Sequence, residues 1–507
     1  MKNKYIHQIL FATVLALALV SCRKTFLPST SIDEESALST AGDIETATIG
    51  TYALFKDQGY VRSMHFLTEF PSDEIAQGQN SSDDLSNCYK YTHLLTSAHS
   101  LYFWQQSYKA ASAANRIIRN IKDDASPDLL QLKGENLYIR AMMHFNLVRV
   151  FGRPYAENGG TSLGVPILSD DLTDEQTLTV SRSPVKDVYD FVIADLLKAA
   201  DLMTVKKTNS FASKDVAYAL LSRVYLYKGD NQKAIDYANM VIGSSVPGVL
   251  VSGGNYALLS SSEFPSYFKT VPDANKETIF AIRHMESDNR GWGAIGSMYY
   301  SGNANGVAGN QAISGWGEIY ASVKYINFLD QNPSDLRHSF ISTYKVGGVT
   351  QMNTKLSPNT PMHYMTKYNF QDGEINLSSP VYLRLAEMYL NRAEANAKLG
   401  NTQLALDDVN AIRTRATIPT YTIASVALAG KSALDVVLEE KWLELAFEGH
   451  RSYDLFRNGL PVVRNYPGTH SLVTGNVNQT IQPGDARVVF YIPQAEASAN
   501  TNLQQNP

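Results

Sequence analysis

The stretch Lys228-Gly229-Asp230-Asn231-Gln232-Lys233-Ala234-Ile235-Asp236-Tyr237-Ala238-Asn239 is echoed at Leu399-Gly400-Asn401-Thr402-Gln403-Leu404-Ala405-Leu406-Asp407-Asp408-Val409-Asn410. Gly, Gln, Ala, Asp and Asn recur at equal offsets. In both copies one helix-period run precedes the glycine and another follows it. A glycine there can take the left-handed conformation that stops the first helix and turns the chain back. Each copy therefore reads as a helical hairpin. Ala217, Ala219, Ala234, Ala393, Ala395 and Ala405 are small enough for paired helices to approach closely. A hairpin of this kind buries its apolar face only by stacking on another. The repeat thus predicts an all-α dominated chain of tetratricopeptide-like hairpins, an alpha-alpha superhelix.

Apolar residues at helical spacing extend this reading. Ile44, Thr48, Tyr52 and Phe55 share one face. Phe103, Tyr108, Ala111, Asn115, Ile118 and Ile121 mark a helix over Tyr102 to Ile121. Leu137, Ala141, Phe145 and Val148 mark another over Leu132 to Phe151. Ser183 and Pro184 open a further helix as N-cap and first residue, running to about Leu202. Residues 214–227 and 231–242 form the first repeat's hairpin. Between the repeats, 246–375 is rich in Gly, Ser, Asn and Tyr and lacks helical period. So long an irregular connection is more often functional than idle. The expected organisation is residues 1–21 as leader, 22–40 as a Ser/Thr/acid-rich tether, 41–245 as a helical region, 246–375 as a loop-rich insertion and 376–507 as a C-terminal region.

The first residues carry an address. Lys2 and Lys4 precede an apolar run from Ile9 to Val20, too short to span a bilayer, which needs about 20 residues. The run ends Leu19-Val20-Ser21-Cys22, similar to a bacterial lipobox. That similarity implies acylation of the Cys22 thiol and cleavage before Cys22. Cys88, the other of the chain's two cysteines, is then a small apolar residue without a disulfide partner. The formal charge of −5, with no Lys/Arg cluster, disfavours nucleic acid as a partner.

Catalytic constellations find little support. Glu440, Glu444 and Glu448 recur every four residues, a spacing that lines up like charges at a small cost. Structural pairing with arginine or lysine fits them better than acid/base work, with Lys441, Arg451, Arg384 and Arg392 as the candidate partners. Gly430-Lys431-Ser432 has Ser425 where a phosphate loop needs its first glycine. No HExxH, Cys/His cluster or GxSxG appears, so neither metal nor cofactor is expected. His65 and His363 read as satisfied side chains among aromatics. Asp83, Asp84, Asp273 and Glu277 lack EF-hand spacing. Trp104 and Trp442 sit at core spacing.

Three segments carry a family likeness. The first is Val381-Tyr382-Leu383-Arg384-Leu385-Ala386-Glu387-Met388-Tyr389-Leu390-Asn391-Arg392-Ala393-Glu394-Ala395. The second is Glu439-Glu440-Lys441-Trp442-Leu443-Glu444-Leu445-Ala446-Phe447-Glu448-Gly449-His450-Arg451-Ser452-Tyr453-Asp454-Leu455. The third combines Tyr491-Ile492-Pro493-Gln494-Ala495-Glu496 with Asn500-Thr501-Asn502-Leu503-Gln504-Gln505-Asn506-Pro507. Together they resemble the SusD/RagB family of outer-membrane nutrient-binding lipoproteins. Lys441 stands where that family commonly has Arg. The likeness implies a helical scaffold under a loop-rich binding face and a non-enzymatic role in the outer membrane, facing the exterior. It also implies an oligosaccharide ligand, with peptide as the less common class, and a SusC-like TonB-dependent transporter barrel as partner. Arg23 and Lys24 follow Cys22 where surface lipoproteins often carry acids.

Sugar rings offer flat C–H faces to aromatic rings, and their hydroxyls need polar partners. Trp292, Tyr299, Tyr300, Trp316 and Tyr320, with Asn303, Asn305, Asn310 and Gln311, match that palette. A second candidate stretch runs from Gln77-Gly78-Gln79-Asn80 to Tyr89-Lys90-Tyr91. Two other classes stay open. An α-helical glycoside hydrolase needs acids facing each other across a cleft. A protein-only tetratricopeptide adaptor needs Trp292 and Trp316 packed inside.

Overall fold

The computed structural model describes residues 37–77, 84–243, 255–299, 317, 319–346, 348–353, 359–464 and 480–507. The chain divides into two units, 1–47 and 48–507, of which the first is described from residue 37. The helices that carry the fold are α1 (Ala41–Leu54), α2 (Gln58–Glu69), α3 (Ala98–Asn120), α4 (Pro127–Phe151), α5 (Val185–Leu202), α6 (Lys214–Lys228), α7 (Asn231–Ile242), α8 (Leu385–Lys398), α9 (Thr402–Arg415), α10 (Ala433–Glu444) and α11 (Arg451–Arg457). Helix dominates, and the strands are short.

The repeat is a pair of stacked hairpins. Gly229 and Gly400 both take left-handed φ, +87° and +82°, and each closes the turn between its helices. Although the copies lie far apart in sequence, α7 packs directly on α8. Arg392 on α8 donates to Asn239 Oδ1 on α7 at 2.6 Å. The six alanines of the repeat are all fully buried, so close approach of the helices is where they act. Upstream, α4 packs between α3 and α5. Gly134 makes that approach possible, because a Cβ there would lie 2.7 Å from Met203 Cγ and 3.1 Å from the Ala199 carbonyl oxygen.

Helix starts differ from the periodicity reading by a few residues. Ser97 Oγ accepts from Ser100 N at 3.4 Å, so α3 begins at Ala98 rather than Tyr102. Ser126 with Pro127 starts α4 five residues before Leu132. Pro184 is the N-cap of α5 and Val185 its first residue, one position later than expected. The region between the repeats contains strands as well as loops. Thr278–Ala281 pairs antiparallel with Val381–Arg384, Ile75–Gln77 with Ile319–Ala321, and Ile341–Thr343 with His363–Met365. The main apolar core draws residues from Tyr52 through Tyr299 to Leu503, and smaller clusters form around Leu406, Tyr320, Val462 and Phe264.

Buried ion pairs join these strands to the C-terminal helices. Arg384 donates to Glu444 at 2.5 Å and to Glu448 at 2.8 Å. Arg415 bonds Glu277 at 2.8 Å and also reaches Glu444. Arg337 and Arg413 grip Glu440 at 2.6 and 2.8 Å, and Lys367 takes Glu448 at 2.7 Å. The acids therefore serve structure. Burial pushes the Glu444 carboxyl up, but Arg415 and Arg384 outweigh it and hold it well below the carboxylate range. Of the partners expected, Arg384 is correct. Arg392 pairs with Asp408 instead, Lys441 with Glu394, and Arg451 with Asp73. Nor do the three glutamates share one helix. α10 ends at Glu444, and left-handed Phe447 (φ +66°) and Gly449 (φ +74°) place Glu448 in the turn beyond it.

Candidate ligand-binding site

Trp292 sits at the centre of a one-turn 3-10 helix, Gly291–Gly293, and is 44% exposed. Its backbone is held from two sides. Asn289 Oδ1 accepts from Gly291 N at 2.9 Å, and Ser297 Oγ donates to the Trp292 carbonyl at 2.6 Å. Gly291 takes φ +53°. Gly293 lies so close to α2 that a Cβ would fall 2.8 Å from Gln58 Oε1. The half-exposed indole thus rises from a backbone held by hydrogen bonds on both sides.

Beside the indole lies a cleft of about 390 Å³ of void open to solvent. Its polar walls come from Gln58 and Arg62 on α2, Asp288 and Asn289 before Trp292, and Asn376 and Ser378. Lys56 bonds Asp288 at 2.7 Å, and Met285 N donates to the same carboxylate oxygen at 2.9 Å. Burial works to raise Asp288, but these two donors prevail and keep it below the usual carboxylate range. Beneath it His284 is buried, and its ring nitrogens face the carbonyls of Ile282 (3.0 Å) and Lys56 (3.3 Å). Burial lowers its pKa, against the raising effect of the two carbonyls. Asn376 receives a bond on Oδ1 from Asn369 Nδ2 at 3.3 Å, while its own buried Nδ2 has no partner among the described residues. Such an orphan donor costs about 1–3 kcal/mol unless it is satisfied. Amide, carboxylate and guanidinium groups in one cleft suit a hydroxyl-rich ligand, and Trp292 flanks the cleft between its lining residues Arg290 and Gly293 without itself lining it.

Several expected contact residues are not on this surface. Tyr299 is fully buried and bonds His65 Nε2 at 2.6 Å. Tyr320 is buried in the strand Ile319–Ala321 against Tyr364, ring centroids 5.7 Å apart. Tyr89 is buried under the Arg464 guanidinium, 4.3 Å from its ring centre, and Tyr91 donates to the Pro71 carbonyl at 2.5 Å. The expectation that these four present rings to a ligand is corrected: each is core, and three of their hydroxyls or ring faces are held by buried groups. Gln77 is also buried. Cys22, Gly78, Gln79, Asn80, Tyr300, Asn303, Asn305, Asn310, Gln311 and Trp316 lie outside the described residues. Trp104 and Trp442 are buried on α3 and α10, and Cys88 is buried. Among the described residues no group of three His, Cys, Asp or Glu is placed to hold a metal.

Sequence reasoning missed Lys56, Gln58, Arg62, Asp288 and Asn376. They come from three segments far apart in sequence, and none carries a local motif. Asn289 and Arg290, adjacent to Trp292, were within reach of the palette argument.

Comparison with known proteins bears on the fold. Residues 342–507 match the family model described as "SusD family", and residues 28–226 match "Starch-binding associating with outer membrane". The chain is thus similar to SusD-like proteins over both its N-terminal and its C-terminal part. SusD-like protein P2 of Formosa agariphila is 27% identical over 476 residues, spanning 88% of this chain and 89% of its own. A SusD superfamily protein of Bacteroides thetaiotaomicron superposes with TM-score 0.78 at 29% identity, over 92% of this chain and 100% of its own. A putative sugar binding protein of Bacteroides vulgatus gives TM-score 0.77 at 26% identity, over 94% and 99%. The SusD-like scaffold thus runs through nearly the whole chain. No described helix is long and apolar enough to cross a membrane.

Proposed function

We propose that this chain is a glycan-binding lipoprotein of the outer membrane that captures an oligosaccharide at Trp292 and passes it to a TonB-dependent, SusC-like barrel. The observation that carries the reading is the exposed indole fixed beside a polar cleft. A solvent-facing Trp on rigid backbone offers a stacking face with little ordering cost. The match to a putative sugar binding protein at 26% identity supports it. The role is binding without turnover, since Glu440, Glu444 and Glu448, the acids a hydrolase reading would use, are held in ion pairs. Trp292 lies on the surface, which disfavours the protein-only adaptor. Membrane attachment runs through an acyl group on Cys22.

A glycan array with the purified protein tests the ligand class. The expected result is retention of one oligosaccharide series, with no shortened product on prolonged incubation. Product release from a retained glycan contradicts the binding-only role. For the anchor, Cys22→Ser is expected to move the protein from the membrane to the soluble fraction. For the partner, the tagged protein is expected to copurify a β-barrel from detergent extracts.

A further inference from the structure

The cleft beside Trp292 differs in sign from the rest of the protein. The chain carries a formal charge of −5, yet the cleft is lined by the cations Lys56, Arg62 and Arg290 against a single carboxylate, Asp288. That carboxylate is already satisfied, by Lys56 at 2.7 Å and by the Met285 N–H at 2.9 Å. It is therefore not available to balance a further cation.

Arg290 is the cation left over. Its side chain is exposed, and among the described residues it makes no ion pair and no side-chain hydrogen bond. Its backbone is nonetheless fixed. The Arg290 carbonyl accepts from Gly293 N at 2.9 Å, which ties it to the same one-turn helix that carries Trp292. Two other lining side chains are uncommitted in the same sense, the exposed amide of Gln58 and the half-buried hydroxyl of Ser378. A guanidinium presents a planar fork of N–H donors that matches two acceptor oxygens of a carboxylate or sulfate at once. Gln58 and Ser378 supply further donors of the neutral kind.

The room available says which part of a ligand enters. The enclosed part of the cleft is about 30 Å³. By the same measure one water needs about 10–15 Å³. That space takes the oxygens of an acidic substituent and excludes a sugar ring, so the ring stays on the open side, where Trp292 flanks the cleft and is 44% exposed.

We infer that the oligosaccharide captured at Trp292 is an acidic one, whose carboxylate or sulfate group enters this cleft onto the Arg290 guanidinium while its rings remain outside. This narrows the glycan-binding role proposed above and rests on it. A uronic acid and a sulfate ester offer the same oxygens, and chemical neutralisation tells them apart.

The test reads the parent protein on an array that holds neutral and acidic oligosaccharides, where an acidic series is expected to be retained. Each retained acidic glycan is then titrated beside its neutralised counterpart, methyl-esterified for a uronate and desulfated for a sulfate ester. The acidic form is expected to bind about fivefold more tightly or better, and the treatment that removes this advantage identifies the charged group. Arg290→Gln is expected to bring the acidic glycan down to the affinity of its counterpart and to flatten the fall of affinity with rising salt, with the melting temperature unchanged because the side chain is exposed. A retained series that is neutral, equal affinities for an acidic glycan and its counterpart, or an Arg290→Gln protein that binds the acidic form as tightly as the parent overturns the inference and leaves glycan binding in place. An array that retains nothing overturns both.

Discussion

His144 shows how tightly single side chains are committed in this protein. Its Nδ1 faces the Arg140 carbonyl at 2.9 Å, and its Nε2 accepts from Leu168 N at 3.1 Å. A second ring proton would point at that N–H, and burial, with the Arg140 charge beside it, lowers its pKa to about 4. Burial likewise takes His65 to about 3 and His93 to about 4. Below about pH 6.5 the unfolded chain binds protons that these folded rings refuse, so their contribution is lost as pH falls toward their folded values. Glu74 has the opposite sign. Burial raises it to about 7 while its Oε1 accepts from Phe447 N at 2.8 Å. Its contribution is full below its ordinary 4.5 and is lost as pH rises toward 7. Between pH 5 and 7, melting temperatures are expected to climb less steeply in His144→Asn than in the parent, and more steeply in Glu74→Gln. Parallel curves for all three contradict these assignments. The same scale explains why the candidate tyrosines were misread. Sequence supplies an aromatic residue in a loop-like stretch but not the direction of its ring. Tyr299 turns inward because His65, more than two hundred positions away, offers its hydroxyl a buried partner.

At the level of elements, the hairpins were the most legible part of the chain. A glycine between two amphipathic runs, flanked by alanines, leaves few alternatives, and the structure places both turns where the repeat puts them. No Cβ clash exists at Gly229 or Gly400, so the left-handed φ itself is what requires glycine. Gly229→Ala and Gly400→Ala are each expected to lower stability by about 1 kcal/mol, measured by denaturant unfolding. A neutral result would show that the turns relax to negative φ. The ion pairs that tie α10 to the strand Val381–Arg384 were half legible: the need for partners followed from the glutamate spacing, their identity did not. Arg337 and Arg415 approach through tertiary folding that no local pattern encodes. Arg384→Met is expected to cost about 3–5 kcal/mol, because it strands Glu444 and Glu448 without their shared cation. A loss below about 1 kcal/mol would mean that Arg415 and Lys367 suffice.

Over the whole molecule, the helical class and the family likeness were accessible because both rest on motifs contiguous in sequence. The cleft beside Trp292 was not, since Lys56, Gln58, Asp288 and Asn376 meet only after α2, the insertion and the approach to α8 have assembled. The short strands between the repeats escaped notice for a related reason: segments of three or four residues hold too few alternations to show a period. The central claim is that an exposed indole beside this cleft binds a glycan. Isothermal titration of the parent protein and Trp292→Ala with the oligosaccharide that the array selects tests it most directly. Losing the stacked ring, worth about 1.5–3 kcal/mol when fully covered, is expected to weaken affinity about tenfold or more with the melting temperature unchanged. Equal affinities for the two proteins would contradict it.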